Sequence, residues 1–326
     1  MSPSHIVLED TQILAELCGA NDYNLSVISS LLGAPVRSRG NELSIDTEDS
    51  ATIGLFSKLI GAVGASIEDG VPATPELIIA LHAELTPEGE RSARGADQAC
   101  EDGVSKFLDT CIQIPNGFGK VFPRSGGQSL YLQGIMNHDL SFSVGPAGTG
   151  KTFLAMAYAL REILTRSRRK LVLTRPVVEA GESLGFLPGD LEQKINPYLR
   201  PLYDAMEALV PYETIHRLEE SRAIEVAPLA YMRGRSLTNC IVILDEGQNT
   251  TKEQMKMFLT RLGERTKAIV TGDITQVDLP KKTESGLVHA VNLLEHIDEV
   301  FVSRLDARDV VRSPLVRKII EAYEKE

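Results

Sequence analysis

The apolar run Leu140 to Val144, LSFSV, leads directly into Gly145-Pro146-Ala147-Gly148-Thr149-Gly150-Lys151-Thr152, and that octapeptide leads into the helix-like segment FLAMAYALREIL. A strand, a turn with glycine at three of its positions and a helix must follow one another without a spacer. The spacing GxxxxGK[ST] is that of a loop whose backbone N–H groups, backed by the N-terminus of the next helix, point at phosphate oxygens. With glycine at about 7% of residues, a chance match in a chain of this length is roughly a one-in-a-hundred event. Lys151 is expected to reach the outer phosphates of a nucleotide, and Thr152 to hold Mg²⁺ through its hydroxyl. Such a unit needs a parallel sheet around it.

The rest of the chain supplies one. After Leu140 to Val144, strand candidates recur at Leu171 to Thr174, Ala223 to Val226, Ile241 to Leu244, Ala268 to Thr271 and Glu299 to Val302, separated by helical segments. Continuous Val/Ile/Leu runs alternating with helices predict a doubly wound α/β domain, its parallel sheet buried on both faces. The front reads differently: two short helices around Gly19-Ala20-Asn21-Asp22, a strand pair from Val36 to Ile45 turning at Arg39-Gly40-Asn41, and a helix from Ala51 to Gly64. Thr86 to Gly103 is charged, rich in small residues and poor in large apolar ones, and Thr110 to Phe122 reads as a hairpin turning at Asn116-Gly117. These signals predict a small α+β domain over 1–86, a linker over 87–109 and the α/β domain over 110–326.

The net charge of −11 is unevenly spread. Residues 1–126 carry 8 Lys and Arg against 18 Asp and Glu, whereas residues 127–326 carry 26 against 27. Phosphate backbones are bound through Lys and Arg, so the larger domain is the better nucleic-acid candidate, with Arg166, Arg168, Arg169 and Lys170 as its densest basic run. Hydrophobic residues at 43% and charged residues at 24% are ordinary for a folded protein. The first residues lack the basic and apolar regions of a secretion signal, and no unbroken apolar run reaches the roughly 18 residues of a bilayer span. The four cysteines lie far apart. A cytoplasmic protein with no membrane partner is expected.

Two further strand ends carry polar residues. IVIL is followed by Asp245 and Glu246. In P-loop enzymes an aspartate at such a position helps hold Mg²⁺, and a following glutamate can take a proton from the water that attacks the γ-phosphate. That pairing favours hydrolysis over transfer to a hydroxyl substrate. AIVT is followed by Gly272, Asp273 and, three residues on, Gln276, which is placed to sense the γ-phosphate at the carboxyl end of a neighbouring strand.

GPAGTGKTFLA, TRPVVEAGESLGFLPGDLEQKINPYLRPLYDAM, IVILDEGQNTTKEQMKMFLTRLG, VTGDITQVDLP and DVVRSPLV, in this order, resemble the PhoH family of bacterial ATPases over about residues 120–326. The resemblance implies a RecA-like P-loop core similar to that of superfamily 1 helicases, ATP and Mg²⁺ as ligands, and ATP hydrolysis coupled to RNA. It implies adenine recognition by Gln128, a helicase-like third motif at Gly272, Asp273 and Gln276, and a nucleic-acid-facing position for Arg175. Arg175 can equally pair with Glu179 or Glu182. Arg261, Arg304 and Arg312 are candidates for an arginine that stabilises the transferring phosphoryl group, Arg312 first because it stands in a short motif. A homo-oligomer and a partner endoribonuclease of the YbeY type are further expectations of the resemblance. DEGQ stands where DEAQ is commoner, and VVRSP where VVRHP is commoner, so no role of that histidine carries over. The front domain is similar to a KH module, with Asp22 where the GxxG loop ends in glycine. A carboxylate there repels phosphate, which predicts loss of RNA clamping. The competing reading is a nucleotide-gated scaffold with slow turnover and no RNA coupling.

Overall fold

The computed structural model describes residues 4–8, 10–68, 71–86, 110–176, 191–280 and 283–311. The segment expected as a linker, 87–109, lies outside the described residues. Two compact units are present, Met1–Cys111 with Phe122–Ser129, and Ile112–Val121 with Leu130–Glu326.

The first unit runs β1 (Ser4–Val7), α1 (Thr11–Cys18), α2 (Tyr23–Leu32), β2 (Val36–Arg39), β3 (Glu42–Ile45), α3 (Ser50–Glu68) and α4 (Pro75–Leu85). Its three strands form an antiparallel sheet in the order β1-β3-β2. Leu17, Ile28, Leu43, Ile45, Phe56, Leu59 and Leu77 fill its core. Between α1 and α2 the GAND turn passes through left-handed conformations at Asn21 and Asp22, and both are exposed. β1 and α4 are not among the elements predicted from the sequence. α4 starts where Thr74 accepts the Leu77 N–H and Pro75 opens the first turn, a start signal for a helix. α3 is long and apolar enough to cross a membrane by length and composition, a property that unbroken runs alone do not reveal. One face of it, Phe56, Leu59, Ile60 and Val63, packs into the core.

The second unit opens with a hairpin, β4 (Ile112–Ile114) and β5 (Gly119–Val121), followed by α5 (Gly126–Asn137), whose first turns cluster with the first unit. Then come β6 (Leu140–Val144), α6 (Lys151–Leu164), β7 (Lys170–Arg175), α7 (Leu191–Glu207), α8 (Tyr212–Glu220), β8 (Ile224–Pro228), β9 (Cys240–Leu244), α9 (Lys252–Leu259), β10 (Lys267–Gly272), α10 (Gly286–Leu294) and β11 (Val300–Arg304). All six strand candidates are strands, within a residue or two at each end.

Their sheet is parallel, in the order β11-β6-β10-β9-β7-β8. Leu171, Leu173, Ile241, Ile243 and Ile269 face one core cluster, whereas the alternating Val172, Val242, Leu244 and Val270 face the other. Both faces are therefore covered by helices, which is why the strands read as unbroken apolar runs. This is the RecA-like P-loop α/β fold. β10 stands between β6 and β9, so the strand ends that lead into Gly145, Asp245 and Asp273 lie side by side along one rim of the sheet.

Candidate nucleotide site

At the carboxyl end of β6 the chain turns through Gly148 (φ 83°) and Gly150 (φ 78°), conformations that favour glycine. Gly145 is required for space instead. A Cβ there would stand 2.6 Å from the carbonyl oxygen of Leu305, in the segment that follows β11. Lys151 is buried and its ammonium curls back onto the loop, donating to the carbonyls of Gly145 at 2.7 Å and Pro146 at 2.8 Å. Burial holds its pKa below the ordinary lysine value, with Asp273, Asp245 and Glu246 opposing the shift. Tyr131 of α5 donates its hydroxyl to the Lys151 carbonyl at 3.2 Å.

Asp245 ties the loop to the strands. Its Oδ1 accepts the hydroxyls of Thr152 and Thr271, each at 2.6 Å. One buried carboxylate oxygen thus joins the first turn of α6, the end of β9 and the end of β10. Asp273 is buried beyond β10; its Oδ1 accepts the N–H and hydroxyl of Thr275, and its Oδ2 has no partner among the described residues. The Thr152 hydroxyl and the Asp245 carboxylate, in direct contact, are hard oxygen donors of the kind that suits Mg²⁺.

Glu246 sits in the left-handed region, φ 55°, a costly conformation for a residue with a side chain and one that recurs at functional sites. Both of its oxygens are engaged. Arg175 Nη2 stands 2.9 Å from Oε1, and Gln248 Nε2 donates to Oε2 at 2.5 Å. Gln248, almost fully buried, also donates to the Gln276 carbonyl at 3.2 Å and accepts the Asp273 N–H at 3.0 Å. It brackets the residues that follow β9 and β10. Gly272 leaves room for it, since a Cβ there would meet Gln248 Oε1 at 2.7 Å.

The structure therefore brings together Lys151, Thr152, Asp245, Glu246, Asp273 and Arg175. Glu179 and Glu182, the alternative partners of Arg175, lie outside the described residues. Gln276 is exposed at its side chain and enters through its backbone. Gln128, in the first turn of α5, is buried and accepts the Arg124 N–H at 2.7 Å; it belongs to the first unit. Arg304 ends β11 beside Val144 but pairs with Glu295 at 2.7 Å. Arg261 lies at the opposite end of the sheet, where its carbonyl accepts the Leu237 N–H ahead of β9. Arg312 lies outside the described residues, although its neighbour Val311 donates its N–H to the Gly148 carbonyl of the loop at 2.9 Å.

Gln248, Thr271 and Tyr131 were not among the residues singled out from the sequence. Thr271 carries a legible signal, a hydroxyl in an otherwise apolar strand. Tyr131 and Gln248 carry none, because their roles depend on which strands are neighbours.

The profile of PhoH-like proteins matches residues 120–324. The chain belongs to the PhoH family. PhoH-like proteins of Mycobacterium leprae (strain TN) and Bacillus subtilis (strain 168) are 45% and 43% identical to it, each over 95% of this chain, and over 85% and 93% of their own lengths. The protein PhoH of Escherichia coli (strain K12) is 43% identical over 62% of this chain and 58% of its own. Similarity to the PhoH-like proteins thus extends through the front unit. Among solved structures, the Pif1 helicase from Candida albicans is similar at a TM-score of 0.31 and 14% identity, over 60% of this chain and 42% of that one. Membership of the PhoH family and the loop together make this a nucleotide-binding protein.

Proposed function

We propose that this PhoH-family protein is a Mg²⁺-dependent ATPase whose turnover is coupled to RNA. The observation that carries the reading is the hydrogen bond from Thr152 to Asp245, 2.6 Å, with Glu246 next in the chain. It supports the reading by joining the phosphate loop to the carboxylate at the end of β9, with a second carboxylate beside it in the chain. When bound, Mg²⁺ would be held by Thr152 and Asp245 and would neutralise charge on the phosphates.

The protein's own groups do the rest. Lys151 exchanges its loop carbonyls for phosphate oxygens. Glu246 gives up one of its two held contacts and takes a proton from water. Asp273 and the Gln248 bracket keep the Gly272 to Gln276 segment in register with Asp245 and Glu246. Gln128 reads adenine, and Arg312, next to a residue bonded to the loop, stabilises the transferring group. Arg261, at the opposite end of the sheet, is left to a neighbouring subunit in an oligomer. The front unit, with Asp22 exposed in its turn, serves protein contacts instead of RNA clamping, and a YbeY-type endoribonuclease is the partner implied by family.

The test is ATP turnover of the wild type and Glu246→Gln, with and without single-stranded RNA at fixed salt. The expected result is RNA-stimulated turnover in the wild type and a loss of about 10²- to 10⁴-fold in the variant, with nucleotide binding kept. Unchanged turnover in Glu246→Gln would remove that residue from the chemistry. Engagement of both Glu246 oxygens favours slow basal turnover, so a nucleotide-gated scaffold is the second reading. It takes over if RNA changes nothing.

A further inference from the structure

The end of the sheet opposite the phosphate loop is strongly basic. The segments that lead into β7, β8, β9 and β10, residues 165–170, 221–223, 233–239 and 261–267, hold ten Lys and Arg against one carboxylate, Glu264. The second unit as a whole is close to neutral, so this is a local concentration. Lys170 and Arg235 pair with Glu225, and Lys267 is buried against the carbonyls that end α5. Arg166, Arg169, Arg222, Arg233 and Arg265 are exposed and have no ion pair among the described residues.

Three of these arginines stand where the backbone disfavours any side chain. Arg166, Arg222 and Arg265 have φ of 59°, 59° and 57°. Arg222 stands just beyond the cap residue of α8, Ser221: its N–H donates to the Glu219 carbonyl and the next N–H, of Ala223, to the Leu218 carbonyl. That is the helix end whose left-handed position is usually glycine. Arg166 occupies the same place after α6, its N–H donating to the Ile163 carbonyl. A cation near a helix C-terminus complements the dipole, but a place in the last turn would do that without the backbone cost. Arg265 follows no such helix end at all. Residues that break a local rule at several neighbouring turns mark a function.

The three turns precede β10, β7 and β8, and β9 lies between the first two. At about 4.8 Å per strand step they draw a line roughly 14 Å long, enough for two or three phosphates of a single strand. Asp139, Asp298 and Glu299 border it on the β6 and β11 side and limit its extent. We infer that this rim binds the phosphate backbone of RNA, at the far end of the sheet from the nucleotide loop. The inference rests on the RNA-coupled reading above and supplies the surface for it. Arginine suits the task because its planar fork matches phosphate oxygens.

The backbone itself provides a fold-safe test, since glycine fits all three left-handed positions. Full-length wild type and Arg166→Gly/Arg222→Gly/Arg265→Gly are titrated against fluorescein-labelled single-stranded RNA between 0.05 and 0.3 M salt, on the order of the range where counterion release is read. Three lost contacts at about 0.7 each should lower the salt slope by about 2 and the affinity roughly 100-fold at 0.1 M salt. The melting temperature and RNA-free ATP turnover should stay at wild-type values. Wild-type RNA binding with an unchanged triple variant would overturn the rim and leave RNA coupling standing. No RNA binding by the wild type would overturn both. A variant that loses oligomer mass in light scattering but keeps RNA affinity would overturn the rim as an RNA surface and assign it to a second copy.

Discussion

Arg175 Nη2 lies 2.9 Å from Glu246 Oε1, joining the ends of adjacent strands β7 and β9. With Gln248 on the other oxygen, the carboxylate that is proposed to prepare water is held from both sides. Releasing one side should free it. Arg175→Ala is expected to raise RNA-free ATP turnover by roughly 3- to 10-fold, the kinetic equivalent of about 1 kcal/mol. Steady-state phosphate release measures it, and a fall in turnover would show instead that Arg175 acts on the nucleotide.

The two hydroxyls on Asp245 should separate by function. Thr271 is fully buried within the sheet, so Thr271→Val should cost about 1 kcal/mol of stability in urea and leave nucleotide binding within a few-fold of wild type. Thr152→Val should spare stability and weaken Mg²⁺-dependent nucleotide binding by roughly tenfold or more, since it removes an oxygen donor. Similar behaviour of the two variants in denaturation and nucleotide titration would count against a division of roles.

Gly145 and Gly61 offer a contrast in space. A Cβ at Gly145 meets the Leu305 backbone at 2.6 Å, whereas at Gly61, inside α3, nothing stands within 4 Å. Gly145→Ala should cost about 1–3 kcal/mol and impair nucleotide binding. Gly61→Ala should stabilise by about 0.5–1 kcal/mol, as alanine does in a helix. Thermal unfolding of both variants gives the comparison, and equal shifts would refute it.

Glu225 supplies a pH signature. Bidentate hydrogen bonds from Arg235, with help from Lys170, hold its pKa down to about 2 from the ordinary 4.5. A depressed carboxylate adds stability above its unfolded pKa and loses it as pH falls through the folded value. Glu225→Gln should therefore be destabilising by about 1–2 kcal/mol at pH 7, less so with falling pH between 4.5 and 2, and level with the wild type at the acid end. Urea unfolding across that range measures the gap, and a gap independent of pH would contradict the assignment.

The six strands were legible because burial on both faces writes itself into unbroken apolar runs such as Cys240–Leu244. The loop was legible because glycine and lysine spacing is local. Strand order was not, and with it went every contact that depends on neighbours: Arg175 on Glu246, Thr271 on Asp245, Gln248 between the residues that follow β9 and β10. A sequence shows where β7 and β9 are but not that they touch. β1 escaped notice because its four residues, SHIV, are too few to show an alternating pattern. The basic run at Arg166 was visible, yet its meaning was not. Only the fold sets it beside Arg222 and Arg265, which lie 56 and 99 residues further along.

Val311 donates its N–H to the carbonyl of Gly148, so one peptide group of the phosphate loop is shared with the chain beyond β11. A loop that rearranges around phosphate must carry this neighbour along or let it go. The amide hydrogen of Val311 is consequently a natural gauge of loop state: its exchange with deuterated solvent reports the loop from outside it, without any probe attached to the protein.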